Sequence, residues 1–370
     1  MMCRKFNLKT IFKIEYILIL IAVFNFSATQ FFRKKAVQNF TFMDNSFTAV
    51  RLQYIDFLKG FTIDEEIITF FEKSCRVYAY FDEYVQNSII VISTILREYH
   101  ISDSNRENLR NLLTATTTEL QIEIHKKQKI LLQGLDIIIN FTFFFIVLAA
   151  FVFIKKNIRK SKRPEIQADD TVFDKEFSIK TFLMTSIAII IAADLNCSGS
   201  LLIRKLTYPL YLDSILTIGI TAAFGLIPGI ICAVMSHSIL YLLDCANLPF
   251  ILCHILTAFF AWRTFRRKAG KNYQLNRQLP LEIFLWAGLW SGISNAITGN
   301  IISMSMFPAE TTLKNLDNIT YAIFTSTENL NLAIWISGLL TNLTDKMISA
   351  LLSIIFYKLI CFCRKKQCSL

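Results

Sequence analysis

Apolar stretches close to twenty residues long alternate along this chain with short runs of Lys and Arg. A hydrocarbon core about 30 Å thick is crossed by about 20 helical residues, and stretches of that kind lie at about Ile11 to Thr29, Leu135 to Ile154, Lys180 to Cys197, Leu210 to Gly225, Ile227 to Leu243, Pro249 to Thr264, Leu281 to Met306 and Thr344 to Phe362. The cationic runs Lys155 to Arg163, Arg263 to Arg277 and Arg364 to Lys366 stand at their ends. Short loops rich in Lys and Arg stay cytoplasmic. Eight spans with both termini cytoplasmic satisfy every cluster except Arg33 to Lys35 and the pair Arg204 and Lys205. The expected location is a cell membrane crossed several times. The first stretch can also be read as a signal peptide with Ile17 to Phe26 as its apolar part, although Phe24, Asn25 and Phe26 make a poor small-residue cleavage site.

Residues 32–133 follow a different pattern, charged and without a continuous apolar run. Between Glu65 and Tyr99, Ile68, Phe71, Val77, Phe81, Val85, Ile89 and Ile92 recur at three- and four-residue steps, the period of one helix face. Asp103 or Ser104 is placed to cap a second helix carrying Leu109, Leu112, Leu113, Leu120, Ile124 and Ile130. Two such stripes must be buried against each other or against the flanking segments. In architecture alone, this insert is similar to the extracytoplasmic part of bacterial membrane sensors. The fold expected is an all-α polytopic membrane protein. Residues 1–154 form an N-terminal two-span module with spans at 11–29 and 135–154 around the extracytoplasmic helical insert. A basic then acidic cytoplasmic linker occupies 155–177, and a six-helix transmembrane bundle occupies 178–366. The apolar stretch Ile319 to Leu340 reads as a re-entrant or interfacial helix.

Composition agrees with a lipid-solvated chain. Of 370 residues, 54% are hydrophobic and 33 are Phe, and the mean hydropathy is +0.45, more apolar than an ordinary water-soluble domain carries. The net charge of +11 lies mainly beside the ends of apolar segments, where membrane anchoring accounts for it without nucleic acid. Nine cysteines contain no CxxC pair, so neither a zinc site nor a dithiol redox site is signalled. Residues 269–272 do not match a nucleotide-binding loop, and no HExxH, GxSxG or kinase signature occurs. The expectation is a protein that is not an enzyme, with no cofactor.

Polar residues recur at the predicted outer ends of the bundle helices, where a polar side chain is expensive unless it meets water, a partner or a ligand. Asp194 and Asn196 end the first helix, Tyr211 and Asp213 open the second, Asn295 and Asn300 lie in the outer part of the fifth, and Asp345 and Lys346 open the last. With Trp290 as an apolar wall, they can form a concave site for a small polar molecule; helix caps and interfacial water are the alternative. His237 and His254 lie deeper, as an interhelical hydrogen-bonded pair or as a proton-coupling pair. Ala188 and Ala192, one turn apart, present a flat strip for another helix.

The run Tyr208-Pro-Leu-Tyr-Leu-Asp-Ser-Ile-Leu-Thr-Ile-Gly-Ile with Ala223-Phe-Gly-Leu-Ile-Pro-Gly-Ile resembles the substrate-binding S components of energy-coupling-factor (ECF) transporters. Gly288-Leu-Trp-Ser-Gly-Ile-Ser-Asn and Leu343-Thr-Asp-Lys-Met-Ile-Ser-Ala are similar to the fifth and sixth helices of that family, and the resemblance covers about 178–366. It implies a six-helix bundle that holds a vitamin, metal ion or other micronutrient near its outer face. Such a bundle docks on a transmembrane coupling subunit driven by ATPase subunits made as separate chains. It also implies that Ala188 and Ala192 face the coupling subunit and that Asn196, Asp213, Asn295 and Asn300 lie near the pocket. The N-terminal module departs from the family, most of whose members are little more than the bundle. Relatives of the bundle also serve as membrane sensing modules, so a sensor or receptor that signals through a partner chain is the alternative.

Overall fold

The computed structural model describes residues 13–59, 63–79, 82–98, 106–161, 179–206, 208–243, 246–270, 273, 279–307 and 314–367. Among these every regular element is helical. The α-helices are α1 (Ile14–Phe57), α2 (Glu65–Ala79), α3 (Glu83–Glu98), α4 (Arg106–Ser161), α5 (Ile179–Lys205), α6 (Ile215–Phe224), α7 (Leu226–Leu242), α8 (Ile251–Ala269), α9 (Leu281–Met306), α10 (Lys314–Thr327) and α11 (Leu330–Gln367). One 3-10 turn, Leu248–Phe250, leads into α8. Three stretches are long and apolar enough to cross a membrane, Ile14–Tyr54, Phe182–Lys205 and Leu248–Ala269, and they suggest a membrane protein.

The chain divides into two units. The smaller comprises residues 27–136 with 318–333, the larger residues 1–26, 137–317 and 334–370.

In the smaller unit, parts of α1 and α4 pack with α2 and α3 around Phe47, Phe71, Val85, Ile92, Leu120 and Ile124, all buried. The continuous stripe expected from Glu65 to Tyr99 is two helices. Asp82 starts the second by accepting the Val85 N–H (3.0 Å), which satisfies an orphan donor of the first turn. Asp64 does the same for α2 through the Glu66 N–H (3.0 Å). The capping residues expected at Asp103 or Ser104 and the apolar position Phe81 lie outside the described residues. On α4 the buried stripe is Leu109, Leu113, Leu120 and Ile124, whereas Leu112 and Ile130 are exposed. Residues 318–333 belong to this unit, and so pack as part of a helical core. Asn39 donates to the Thr325 carbonyl, and Ser326 Oγ to the Phe32 carbonyl (3.0 Å).

In the larger unit, residues of the first two predicted spans, Ile14, Leu18, Phe145 and Leu148, pack with Leu285, Trp286, Leu289 and Met347 in one buried cluster. A second cluster joins α5 to α9 and α11 through Ala192, Ile218, Cys232, Phe265, Phe284 and Tyr357. Helix α9 meets α11 at unusually short range because Gly288 and Gly292 face it. A Cβ on Gly288 would stand 2.7 Å from the Lys346 carbonyl, and one on Gly292 would stand 3.0 Å from Leu343 Cα. Small residues at such a crossing let two backbones touch in lipid, where the hydrophobic effect does not drive helices together.

Helix boundaries move several predicted site residues. Helix α5 continues through Ser198, Gly199 and Ser200 to Lys205 despite the glycine, so Asp194 and Asn196 sit inside it. Tyr211 and Asp213 lie in the loop before α6, which begins at Ile215. Asp345 and Lys346 are interior to α11, which begins at Leu330.

Two expectations follow. Gly288→Ala is expected to destabilise the larger unit by about 1–3 kcal/mol through overpacking. Gly299→Ala, whose Cβ would meet nothing nearer than Cys253 Sγ at 3.8 Å, is expected to be tolerated; thermal unfolding in detergent compares the two. In the smaller unit, hydrogen bonds from Arg97 to both Glu72 carboxylate oxygens (2.6 and 3.0 Å) hold the Glu72 pKa below the ordinary carboxylate value, against a smaller opposing effect of burial. A depressed carboxyl stabilises above its unfolded pKa and loses that contribution as pH falls through the folded one. Stability measured across the acidic range should therefore fall more in the native protein than in Arg97→Ala, by less than about 1 kcal/mol for so exposed a pair.

Candidate functional site

Four charged or titratable side chains meet in the interior of the larger unit. Lys346 Nζ donates to Asp213 Oδ1 (3.1 Å), to Asp345 Oδ2 (2.7 Å) and to Ser214 Oγ (2.8 Å), so all three of its protons are used. The other Asp213 oxygen pairs with His254 Nε2 at 2.8 Å. Only 2% of the Lys346 side chain and none of the Asp345 side chain is exposed. Burying isolated charges costs several kcal/mol each after relaxation, and mutual pairing offsets that cost.

The same cluster shapes the loop. Asp345 Oδ1 accepts the backbone N–H of Tyr211 (2.9 Å) and of Leu212 (2.8 Å). Leu212 has φ 44°, the left-handed region that costs a residue with a Cβ about 1–2 kcal/mol. Such strain persists where surrounding contacts over-determine it, and here one carboxylate grips two successive amides. Helix α6 then starts without a cap from its own Ser214. Asn196, reaching from α5, accepts the orphan Leu216 N–H instead (2.9 Å). Its amide nitrogen donates to Thr217 Oγ1 and Ser236 Oγ, both at 3.1 Å.

A third polar group lies along α8 and α9. The His237 and His254 rings meet edge to face with centroids 4.8 Å apart, and His237 Nε2 pairs with the Asn247 carbonyl at 3.1 Å. One turn beyond His254, Thr257 Oγ1 accepts from Asn295 Nδ2 (2.9 Å). Thus Ser236 joins the Asn196 network while its neighbour His237 touches His254, so adjacent positions on α7 link the groups.

No family model, curated protein or solved structure matches this chain. The arrangement is read from its own geometry.

Of the residues expected to bind a substrate, Tyr211, Asp213 and Asp345 are brought together, and Asn196 and Asn295 belong to adjoining networks. Asn300 is buried elsewhere on α9, donating to the Trp335 carbonyl (3.2 Å) where Gly338 leaves it room. Asp194 is exposed on α5, and Trp290 is 45% exposed on α9. Ala192 is fully buried and Ala188 packs against the same core. The bundle itself therefore covers Ala192, while Ala188, which the resemblance also turns to a partner, is half-buried. Among the described residues no three His, Cys, Asp or Glu side chains are placed to hold a metal ion together. His254 and Ser214 were not expected in the cluster. The signal of His254 is a polar residue on an apolar helix, and that of Ser214 a small polar residue before one; sequence cannot pair them with partners 41 and 132 positions away.

Lys346→Met removes the ammonium shared by two buried carboxylates, leaving Asp213 with His254 alone and Asp345 with two backbone amides, and is expected to destabilise the larger unit by about 3–5 kcal/mol. Adding Asp213→Leu should recover part of that loss. A double variant whose loss is the simple sum of the two single losses would show that Asp213 and Lys346 are not coupled, and unfolding midpoints of the native protein, both single variants and the double variant decide it.

Proposed function

We propose that the larger unit is the membrane-embedded substrate-binding subunit of an ECF-type uptake transporter, taking a small polar micronutrient and relying on separate coupling and ATPase chains. The reading places its eight spans with both ends cytoplasmic and its first bundle loop, residues 206–214, on the outer side. The supporting observation is that this loop is strained at Leu212 and held by a fully buried charged cluster. Ionisable groups inside a membrane protein are functional candidates by default because they are costly to keep there. The resemblance implies a pocket lined by the same first loop, and Asp213 and Tyr211 lie in it.

In this reading a ligand bearing donors or positive charge competes with Lys346 for Asp213 and Asp345. The loop's grip is then exchanged for contacts to the ligand. The specificity is chemical: carboxylates and amides that already pair with N–H groups accept another donor of the same geometry.

A second reading, a sensor that signals through a partner chain, is favoured by the separate helical unit that residues 27–136 and 318–333 form.

Affinity purification of the intact chain from its native membrane, followed by native mass spectrometry, separates the two. The uptake reading expects an ATPase pair and a coupling subunit to co-purify with a small molecule, and Asp213→Asn to retain at least about tenfold less of it, the loss of one charge-assisted contact. Recovery of a kinase or receptor partner without any ATPase would instead support the sensor.

A further inference from the structure

We infer that the C-terminal end of α8 is a docking site for an anionic phospholipid, whose phosphate is held by Arg263, Arg266 and Arg267. Helix geometry supplies the shape. Along α8, Leu252, Leu256, Phe259 and Arg263 follow one another at steps of four, three and four residues, and Arg266 and Arg267 come one turn later. At about 100° per residue the three arginines fall within an arc of about 100°, in line with the apolar positions that precede them. This line faces outward. Leu252 is 46% exposed, Leu256 and Phe259 are half-buried and the three arginines are exposed. Thr257, Ala261, Thr264 and Phe265 occupy the opposite, buried face.

Aromatic rings hold the cations at this end. Arg266 Cζ lies over the Trp262 ring, 5.2 Å from its centroid, and Trp262 meets Phe259 with centroids 5.9 Å apart. Lys268 Nζ lies 4.6 Å from the centroid of Trp286, in the second turn of α9, so the end of α8 and the start of α9 adjoin. None of the four cations pairs with a carboxylate among the described residues. The helix dipoles do not neutralise them, because about −0.5 charge at the end of α8 and about +0.5 at the start of α9 cancel. Four cations against the one carboxylate of Glu282, in the first turn of α9, leave three positive charges unmatched. A phospholipid meets both features at once. Its phosphate accepts the arginine forks, and an acyl chain lies along Leu252, Leu256 and Phe259, with Trp262 at headgroup level. An acidic peptide would match the charge and leave the apolar line uncovered. Orienting a span requires only that cations stand beside it, whereas this face joins three of them to an apolar track. The inference requires the candidate span Leu248–Ala269 to lie in a bilayer and does not depend on the uptake reading.

The test presents the intact chain, in mixed micelles, with equal amounts of phosphatidylglycerol and phosphatidylcholine and counts the retained lipids by native mass spectrometry. The native protein should retain phosphatidylglycerol in preference. Arg263→Gln with Arg267→Gln should weaken that preference about thirtyfold, the worth of two cations at an anionic surface. Lys126→Gln with Lys129→Gln removes the same charge from the smaller unit and should leave the preference as it was. Arg263→Lys with Arg267→Lys keeps the charge and should retain most of it, which preserves the test if the glutamine pair fails to fold. Equal retention of the two lipids by the native protein would overturn the inference. So would equal losses in the two glutamine pairs, the result for attraction by net charge alone. Displacement of the lipid by millimolar inorganic phosphate would also overturn it, since the site would then take free phosphate without needing the apolar track.

Discussion

A lysine ammonium enclosed between two aspartates is the constraint on which the larger unit depends. Lys346 has no route to water and no spare proton, so its position is acceptable only while Asp213, Asp345 and Ser214 stay where they are. Those partners come from the loop before α6 and from α11. At the same level α11 lies close against α9, where Gly288 faces the Lys346 carbonyl. Backbone contact, ion pairing and the strained turn at Leu212 thus form one dependent chain of causes. Breaking any link exposes the energetic cost of the others, because unpaired charge inside apolar surroundings is far more expensive than the pair is favourable.

Around that cluster the polar groups fall into three kinds. Asn196 uses both amide protons and its carbonyl oxygen: it caps α6, which lacks a side-chain cap from its own Ser214, and ties α5 to α7, a structural task. Asp213 and Asp345 are also satisfied, but by groups that a competing donor can replace. His237 Nδ1, His254 Nδ1 and Asn295 Oδ1 differ again, since none of them meets a hydrogen-bond partner among the described residues.

The helical character and the apolar segments were legible in the sequence because helix period and span length are local properties. Ile68, Phe71, Val85 and Ile92 were placed on a buried face correctly for that reason. The break at Asp82 was missed because a capping aspartate interrupts a helix without disturbing the apolar spacing around it. The ends of α5 and α11 were misjudged because hydropathy falls where helices leave an apolar layer, not where they stop. That placed Asp345 and Asn196 at helix ends, when they act from helix interiors. Asp213 and Asp345 were recognisable as costly residues, yet their sharing of Lys346 depends on a contact across 133 positions, which no local pattern encodes. The small-residue strip at Ala192 was read as a partner surface for a related reason: spacing shows that a helix can be approached closely, not which helix approaches it.

The most direct test of the account is amide hydrogen exchange at Tyr211 and Leu212, in the native protein and in Asp345→Ala. If the buried carboxylate holds the strained loop, both amides exchange slowly in the native protein and at least about tenfold faster in the variant, the effect of losing charge-assisted hydrogen bonds. Fast exchange at both positions in the native protein would contradict the account.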